Sequence, residues 1–307
     1  MQVLALLKAD RYKRVRAIVG RDDVQSVDLA MLEAQLAQPD PKLVVIDPSR
    51  LRPEAFIALV EAARAKRNVA MLVYAALTPD TARVVVEANR IHPIEVVFFG
   101  AYNERDALAR ACEQPMVPSV QTLVLCGLAE NLGRLPPKLA TSIIGIFGGQ
   151  PFPPSTNAML RASGVGSHTA RRWLAVAGIT QPHQLRSCAV LARTFPELGR
   201  SRMRLAQIVA HFGAGSERAF RRTCAALTGL SPRAAGRLPG AEVATRLLAA
   251  TLAPSDPHRI PRRPSSRRIV PDRRNDAPAS PPIVRDVGAN HPAASAASAR
   301  RGDRRRL

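Results

Sequence analysis

Aromatic residues are scarce in this 307-residue chain, at 4% with a single Trp. Recognition of single-stranded nucleic acid depends on stacking bases against aromatic rings, so that mode is poorly supplied. No apolar run reaches the roughly 18 residues that a membrane-spanning helix needs. In the N-terminal MQVLALLKADRYKR the charges follow the apolar run, the reverse of a secretory signal. A cytoplasmic protein with no membrane partner is the expectation. The four cysteines, Cys112, Cys126, Cys188 and Cys224, are widely spaced with no C-x-x-C pair. Neither a disulfide framework nor a zinc knuckle is indicated, and four free, mostly buried thiols are expected. No G-x-G-x-x-G or G-x-x-x-x-G-K-[ST] follows an apolar run, and no Ser-His-Asp or Cys-His set stands at recognisable spacing. No cofactor, no metal, no catalytic residue and no enzymatic activity are therefore expected.

Charge is abundant but uneven. Residues 1–154 hold 18 Lys and Arg against 16 Asp and Glu, a difference of +2, and residues 253–307 hold 13 Arg against 5 Asp, a difference of +8. Between them, Ser155 to Leu238 has no Lys, 13 Arg, and only Glu197 and Glu217 as acids, a difference of +11 out of +21 for the chain. Such asymmetry predicts that the back half meets a polyanion while the front half does something else.

Within residues 1–115, short apolar runs recur at Val3-Leu7, Val24-Val27, Leu43-Ile46, Val69-Val73 and Ile94-Phe99. Stretches of helical spacing lie between them, including Pro53-Ala65, Thr78-Ala88 and Asn103-Ala111. Strand alternating with helix predicts a flavodoxin-like α/β domain, with a five-stranded parallel sheet in the order 2-1-3-4-5. The third strand, KLVVI, runs into Asp47. This length, element order and Asp position resemble the receiver domains of two-component response regulators, in which an Asp at that place accepts a phosphoryl group. The resemblance also implies an acidic pair after the first strand to hold Mg²⁺, a Thr or Ser ending the fourth strand and a Lys ending the fifth. Here those places read Leu7-Lys8-Ala9, Tyr74-Ala75-Ala76 and Phe99-Gly100-Ala101. The expectation is a degenerate receiver, with Asp47 read first as a strand-end Asp in an Asp-Pro turn and second as a phosphorylation site.

Residues 116–154 predict linker helices: SVQTLVLCGLAENLGRL, a break at Pro136-Pro137, and KLATSIIGIFG before a Gly/Pro-rich turn. Packing against a domain is the first reading of these apolar helices and dimer formation the second.

Ser155 to Leu238 predicts two helix-turn-helix units in tandem. In the first, Ser155 or Thr156 caps a helix that Gly164 ends, and Ser167 caps SHTARRWLAVAG, with Ala170, Leu174 and Ala177 inward. Ser167, His168, Arg171 and Arg172 are left outward. In the second, RLAQIVAHFG and Gly213-Ala214-Gly215 lead into SERAFRRTCAALTG, with Phe220, Cys224 and Leu227 inward. Glu217, Arg218, Arg221 and Arg222 are left outward. A helix over about Gln181 to Phe195 sets the separation of the units. The patterns G-V-x-S-x-x-x-x-R-W-L-x-x-x-G, Q-I-V-x-x-F-G and S-x-x-x-F-R-R, closing with T-G-L-S-P at Thr228 to Pro232, resemble the DNA-binding domain of the AraC/XylS family of transcription regulators over about 80 residues. The resemblance implies base-reading positions at His168, Arg171 and Arg172, and at Glu217, Arg218, Arg221 and Arg222. Gly166 stands where the family has a capping Ser, with Ser167 expected to take over the cap. Ala170, Cys224 and the turn Ala214-Gly215 also depart from its pattern, which weakens the second unit toward phosphate contact.

A terminal helix over 239–252 and a disordered Arg/Pro-rich tail over 253–307 complete the expected organisation. The reading is a sequence-specific transcription regulator: a pseudo-receiver for regulation or homodimerisation joined to an all-helical, AraC-type domain that binds double-stranded DNA, with RNA polymerase as a further partner. The alternatives are an adaptor with non-specific nucleic-acid binding and a phosphorylatable response regulator using Asp47.

Overall fold

The computed structural model describes residues 2–19, 24–101, 104–149, 152–153, 155–179, 182–200 and 203–252. The tail expected over 253–307 lies outside the described residues. The first region runs β1 (Gln2–Leu6), α1 (Ala9–Val19), β2 (Val24–Ser26), α2 (Leu29–Leu36), β3 (Lys42–Ile46), a 3₁₀ turn (Pro48–Arg50), α3 (Pro53–Arg64), β4 (Val69–Ala75), α4 (Pro79–Ile91), β5 (Glu95–Phe98) and α5 (Glu104–Glu113). All four strand pairings are parallel and the order is β2-β1-β3-β4-β5, as the alternation of apolar runs and helical spacing predicts.

Side chains alternate along each strand, so the two faces of the sheet carry two different cores. Leu4, Leu6, Val44, Ile46, Met71, Val73, Val96 and Phe98 belong to one core, with residues of α2, α3 and α4. Val3, Ala5, Leu43, Val45, Leu72, Tyr74 and Val97 belong to the other, with Val15 of α1 and Leu108 and Cys112 of α5. Helix α1 escapes a periodicity reading because only Arg11 and Val15 of its eleven residues are buried.

The second region is all-helical: α6 (Val120–Leu132), α7 (Pro137–Phe147), α8 (Thr156–Ala162), α9 (Ser167–Val176), α10 (Pro182–Arg200), α11 (Leu205–His211), α12 (Glu217–Thr228), α13 (Pro232–Ala235) and α14 (Gly240–Thr251). Fold class changes after α5, but packing does not stop there. Helices α6 and α7 lie against α4, and α6 also packs on α10 and α14. One apolar core thus runs from the sheet through α6 and α7 into α9, α10, α12 and α14, and all described residues fall in one compact unit. Gly148 sits where any Cβ would run into the buried Phe98 ring, a close approach that ties the end of α7 to β5.

Cys112, Cys188 and Cys224 are buried, Cys126 is half-buried, and none is in a disulfide. No described helix is long and apolar enough to cross a membrane.

Two outcomes test this packing. Leu128→Ala removes a fully buried side chain of α6 and should cost about 2–5 kcal/mol. Because the core is shared, Trp173 fluorescence and far-UV circular dichroism should give one midpoint in urea; two separated midpoints would show that the regions unfold apart. Burial pushes the Cys188 thiol up to about 12 despite a hydrogen bond with Thr251. The thiolate is the reactive form, so Cys188 of the folded protein should resist a disulfide-exchange reagent at about pH 8 and react once denatured.

Candidate nucleic-acid interface

In the first helix pair, Ser155 Oγ accepts the Ala158 N–H at 3.1 Å and starts α8. Gly164, at φ +68°, takes the left-handed turn between α8 and α9, a conformation costly for any residue with a Cβ. The N-cap of α9 is Gly166, with no side-chain cap bond. Ser167 is the first residue of the helix, not its cap: the four-residue connection Ser163 to Gly166 ends one position earlier than the expected shift requires. Ala170, Leu174 and Ala177 are fully buried, so the inward stripe lies where spacing puts it. Opposite them His168, Arg171 and Arg172 are exposed and Ser167 is half-exposed. Arg171 Nη2 donates to Asn157 Oδ1 of α8 at 2.9 Å, whereas Arg172 has no ion pair or hydrogen bond among the described residues. Trp173 is half-buried against the core, an interhelical position.

The second pair follows the same plan. The Arg204 N–H donates to Gln207 Oε1 at 2.8 Å at the start of α11, and Ser216 Oγ accepts the Ala219 N–H at 3.2 Å to cap α12. Phe220, Cys224 and Leu227 are buried, while Arg218, Arg221 and Arg222 are exposed and Glu217 is half-exposed. Glu217 Oε1 accepts from Arg221 Nε at 2.9 Å and from Nη2 at 2.6 Å, an i,i+4 ion pair that cancels one charge on this face.

The T-G-L-S-P segment has a physical explanation. Gly229 ends α12 in the left-handed conformation at φ +74°, and Ser231 Oγ accepts the Ala234 N–H at 3.3 Å with Pro232 as first residue of α13. Thr228 Oγ1 donates to the Cys224 carbonyl at 2.7 Å and accepts the Leu230 N–H at 3.2 Å. One helix is closed and the next opened within five residues.

Both outward-facing helices are held at their C-terminal ends. Asn131 Nδ2 of α6 donates to the Ala177 carbonyl after α9 at 2.6 Å, and Arg246 Nη1 of α14 donates to the Thr228 carbonyl of α12 at 2.9 Å. Not every Arg of the segment is on the surface. Arg193 is 2% exposed, lies 4.1 Å over the Phe152 ring centroid and donates to the Ile146 carbonyl at 3.2 Å. Its guanidinium is pushed down to about 10, first by burial and then by Arg110. Arg186 donates to the Pro153 carbonyl at 2.9 Å. These two Arg serve packing, so the formal charge of the segment exceeds what its surface presents.

Asp47 lies apart from these helices, at the carboxyl end of β3, and is 1% exposed. Its Oδ2 is ion-paired with Arg11 of α1. Its Oδ1 accepts the Ser49 N–H at 3.1 Å and the Ser49 hydroxyl at 2.8 Å, capping the 3₁₀ turn. Arg11 and Arg14 stand 5.3 and 5.2 Å from the Phe99 ring centroid, and Arg14 pairs with Glu104 at 2.7 Å. Glu104 also accepts the Tyr74 hydroxyl at 2.5 Å, and burial, then that bond, raise the Tyr74 phenol above its ordinary range. Both Asp47 oxygens are taken and a guanidinium stands where a divalent cation would be needed, so these residues do not fit the Mg²⁺ of a receiver. Sequence reasoning did not find Arg11, whose only signal was an Arg at the third position of a helix of weak apolar pattern.

No protein-family model matches the chain, and no curated protein or solved structure matches it. Beyond the α/β and all-helical classes, functional assignment rests on the residues themselves.

Asp47→Ala should cost about 3–5 kcal/mol in a denaturant titration, because it strands the buried Arg11 charge. The double variant Arg11→Met with Asp47→Ala should recover part of that loss. Equal stability of the single and double variants would remove the pairing argument.

Proposed function

We propose that this protein is a sequence-specific, double-stranded DNA-binding transcription regulator of AraC/XylS type. In this reading α9 and α12 are its recognition helices, and the α/β region is a pseudo-receiver. The observation that carries the reading is the repeated plan: two helix-turn-helix pairs flank one long helix, α10, each with a buried apolar stripe and exposed Arg on the opposite side. An α-helix is the element that the major groove admits, and Arg pairs bidentately with guanine O6 and N7. The 19 residues of α10 give about 28 Å of helix, close to the ~34 Å of one duplex turn, so the two pairs suit successive groove segments on one side of the DNA.

Arg172 and His168 on α9 have no partner among the described residues, while Arg171 is steadied by Asn157 through Nη2. On α12 the Glu217–Arg221 pair lowers the charge offered to DNA, and Arg218 and Arg222 remain for phosphates. Base reading is therefore assigned chiefly to α9. The α/β region supports regulation through a partner and not phosphotransfer, because Asp47 is buried and doubly engaged. Binding near a promoter would act through RNA polymerase.

The ion pair on α12 also favours a second reading, an adaptor that binds nucleic acid through phosphates alone. A gel-shift assay on genomic fragments across a salt series separates the two. The regulator should retard a subset of fragments, and Arg171→Ala with Arg172→Ala should erase that preference at about 1–3 kcal/mol per lost bidentate contact. Equal retardation of every duplex by the parent protein would sink the sequence-specific reading in favour of the adaptor.

A further inference from the structure

A cavity of about 660 Å³ opens at the amino ends of β3, β4 and β5, the end of the sheet away from Asp47. Small-molecule sites occupy about 300–1,000 Å³, so it has the size of one. Open α/β sheets hold ligands at the carboxyl ends of their strands. Here Asp47 at that end is buried and paired with Arg11, and the cavity lies at the other end.

The cavity is lined by both basic and apolar residues. Arg64 ends α3, Lys66 and Arg67 form the turn into β4, and His92 follows α4 beside them. Lys66 is tied to the Leu36 carbonyl, but Arg64 and Arg67 are exposed and have no ion pair or hydrogen bond among the described residues. Burial and then the charge of Arg64 push the His92 imidazole below its ordinary value, which places Arg64 close enough to act on it. Glu95 also lines the space, but its carboxylate accepts the Ser119 N–H at 3.2 Å and the hydroxyls of Ser119 and Thr122 at 2.9 and 2.6 Å. Glu113 is exposed, where solvent screens it.

Met116 and Val117, 41% and 66% exposed, and Phe195 of α10 also line the cavity. Large apolar side chains are exposed at only five described positions, and two of them line this cavity. Exposed apolar surface in a concave site that also carries guanidinium groups with no partner among the described residues is the complement of a molecule with two chemical ends.

We propose that this cavity binds a small organic anion, its carboxylate or phosphate group held by Arg64 and Arg67 and its apolar body laid against Met116, Val117 and Phe195. A guanidinium offers paired donors that match such a group bidentately, while an inorganic anion leaves the apolar wall wet and a neutral aromatic leaves the two Arg without a partner. Further lining comes from Pro196 and Gly199 of α10 and from Gly236, Leu238, Pro239 and Gly240. These are the segments before α11 and after α12, so an occupant touches both supports of the second helix pair. The ligand-binding proposal stands apart from the DNA-binding reading.

Calorimetric titration of the full chain with phenyl phosphate tests it, with inorganic phosphate and phenol as the two half-ligands. Phenyl phosphate should bind with one-to-one stoichiometry and about tenfold or more tightly than either half. Arg64→Gln with Arg67→Gln should weaken it by about tenfold or more, and Arg67→Gln alone by less. Both Arg are exposed, and an unchanged circular dichroism spectrum would show that the variants fold. Arg83→Gln with Arg105→Gln removes the same charge from exposed positions off the cavity and should leave affinity unchanged. No binding up to about 10 mM, equal weakening by the two double variants, or unaltered affinity in Arg64→Gln with Arg67→Gln overturns the proposal.

Discussion

Helix α6 is packed between the α/β region and the rest of the helices, and the other elements take their places from it. It touches α4 on one side and α10 and α14 on the other, with Val124 and Leu128 fully buried. Gly127 faces Leu248 of α14 so closely that any Cβ would displace that side chain, and this lack of a side chain lets the two helices approach. The α6–α14 pair then holds the ends of α9 and α12, through Asn131 to the Ala177 carbonyl and Arg246 to the Thr228 carbonyl. Both Arg-bearing faces are thus referred to one buried pair of helices. A further consequence is that α4 has its apolar residues buried against its own chain, which leaves that face closed to a second copy.

The two helix-turn-helix pairs share a plan but differ in electrostatics. On α9 the positive groups are free or steadied by a neutral amide, so their full charge faces solvent. On α12 an acid at the first helical position draws Arg221 back along the helix. Glu217 near a helix N-terminus is favourable for the helix itself, since it complements the macrodipole. That local stabilisation reduces the potential offered to a polyanion. In the proposed DNA-binding reading, stability and recognition pull in opposite directions on α12, and on α9, with no acid in its first turn, they do not.

The α/β region combines the sheet order of a ligand-binding fold with a buried, paired Asp47 at the carboxyl end of β3. Arg11, Asp47, Arg14 and Glu104 balance two positive charges with two negative ones around Phe99 and Tyr74. Buried charges persist only when paired and hydrogen-bonded, and here each carboxylate has both kinds of partner. After β1 the chain reads Leu7-Lys8-Ala9, with no acidic pair, and Arg11 of α1 supplies the guanidinium beside Asp47. Open space has moved to the opposite end of the strands, where helices of the second region form the wall.

Much of the architecture was legible in the residue pattern. Five apolar runs separated by helical spacing predict the parallel sheet and its order, because a buried parallel strand has to be apolar on both faces and its crossover has to be a helix. The inward stripes of α9 and α12 follow from spacings of three and four, which place side chains on one face whatever surrounds them. The cap of α9 was misread because Gly166 satisfies the turn with its backbone alone, and nothing in composition distinguishes that from a cap one residue later. Three features were settled only by tertiary structure. Whether Arg193 faces solvent depends on Phe152 and Ile146, far from it in sequence; whether Asp47 is available depends on Arg11, 36 positions away. The cavity at the amino end of the sheet requires α3, α4, α10 and the turn before α14 to meet. Local periodicity determines which face of an element is apolar, but charge pairing and enclosed space arise between elements, and their geometry exists only once the chain has packed.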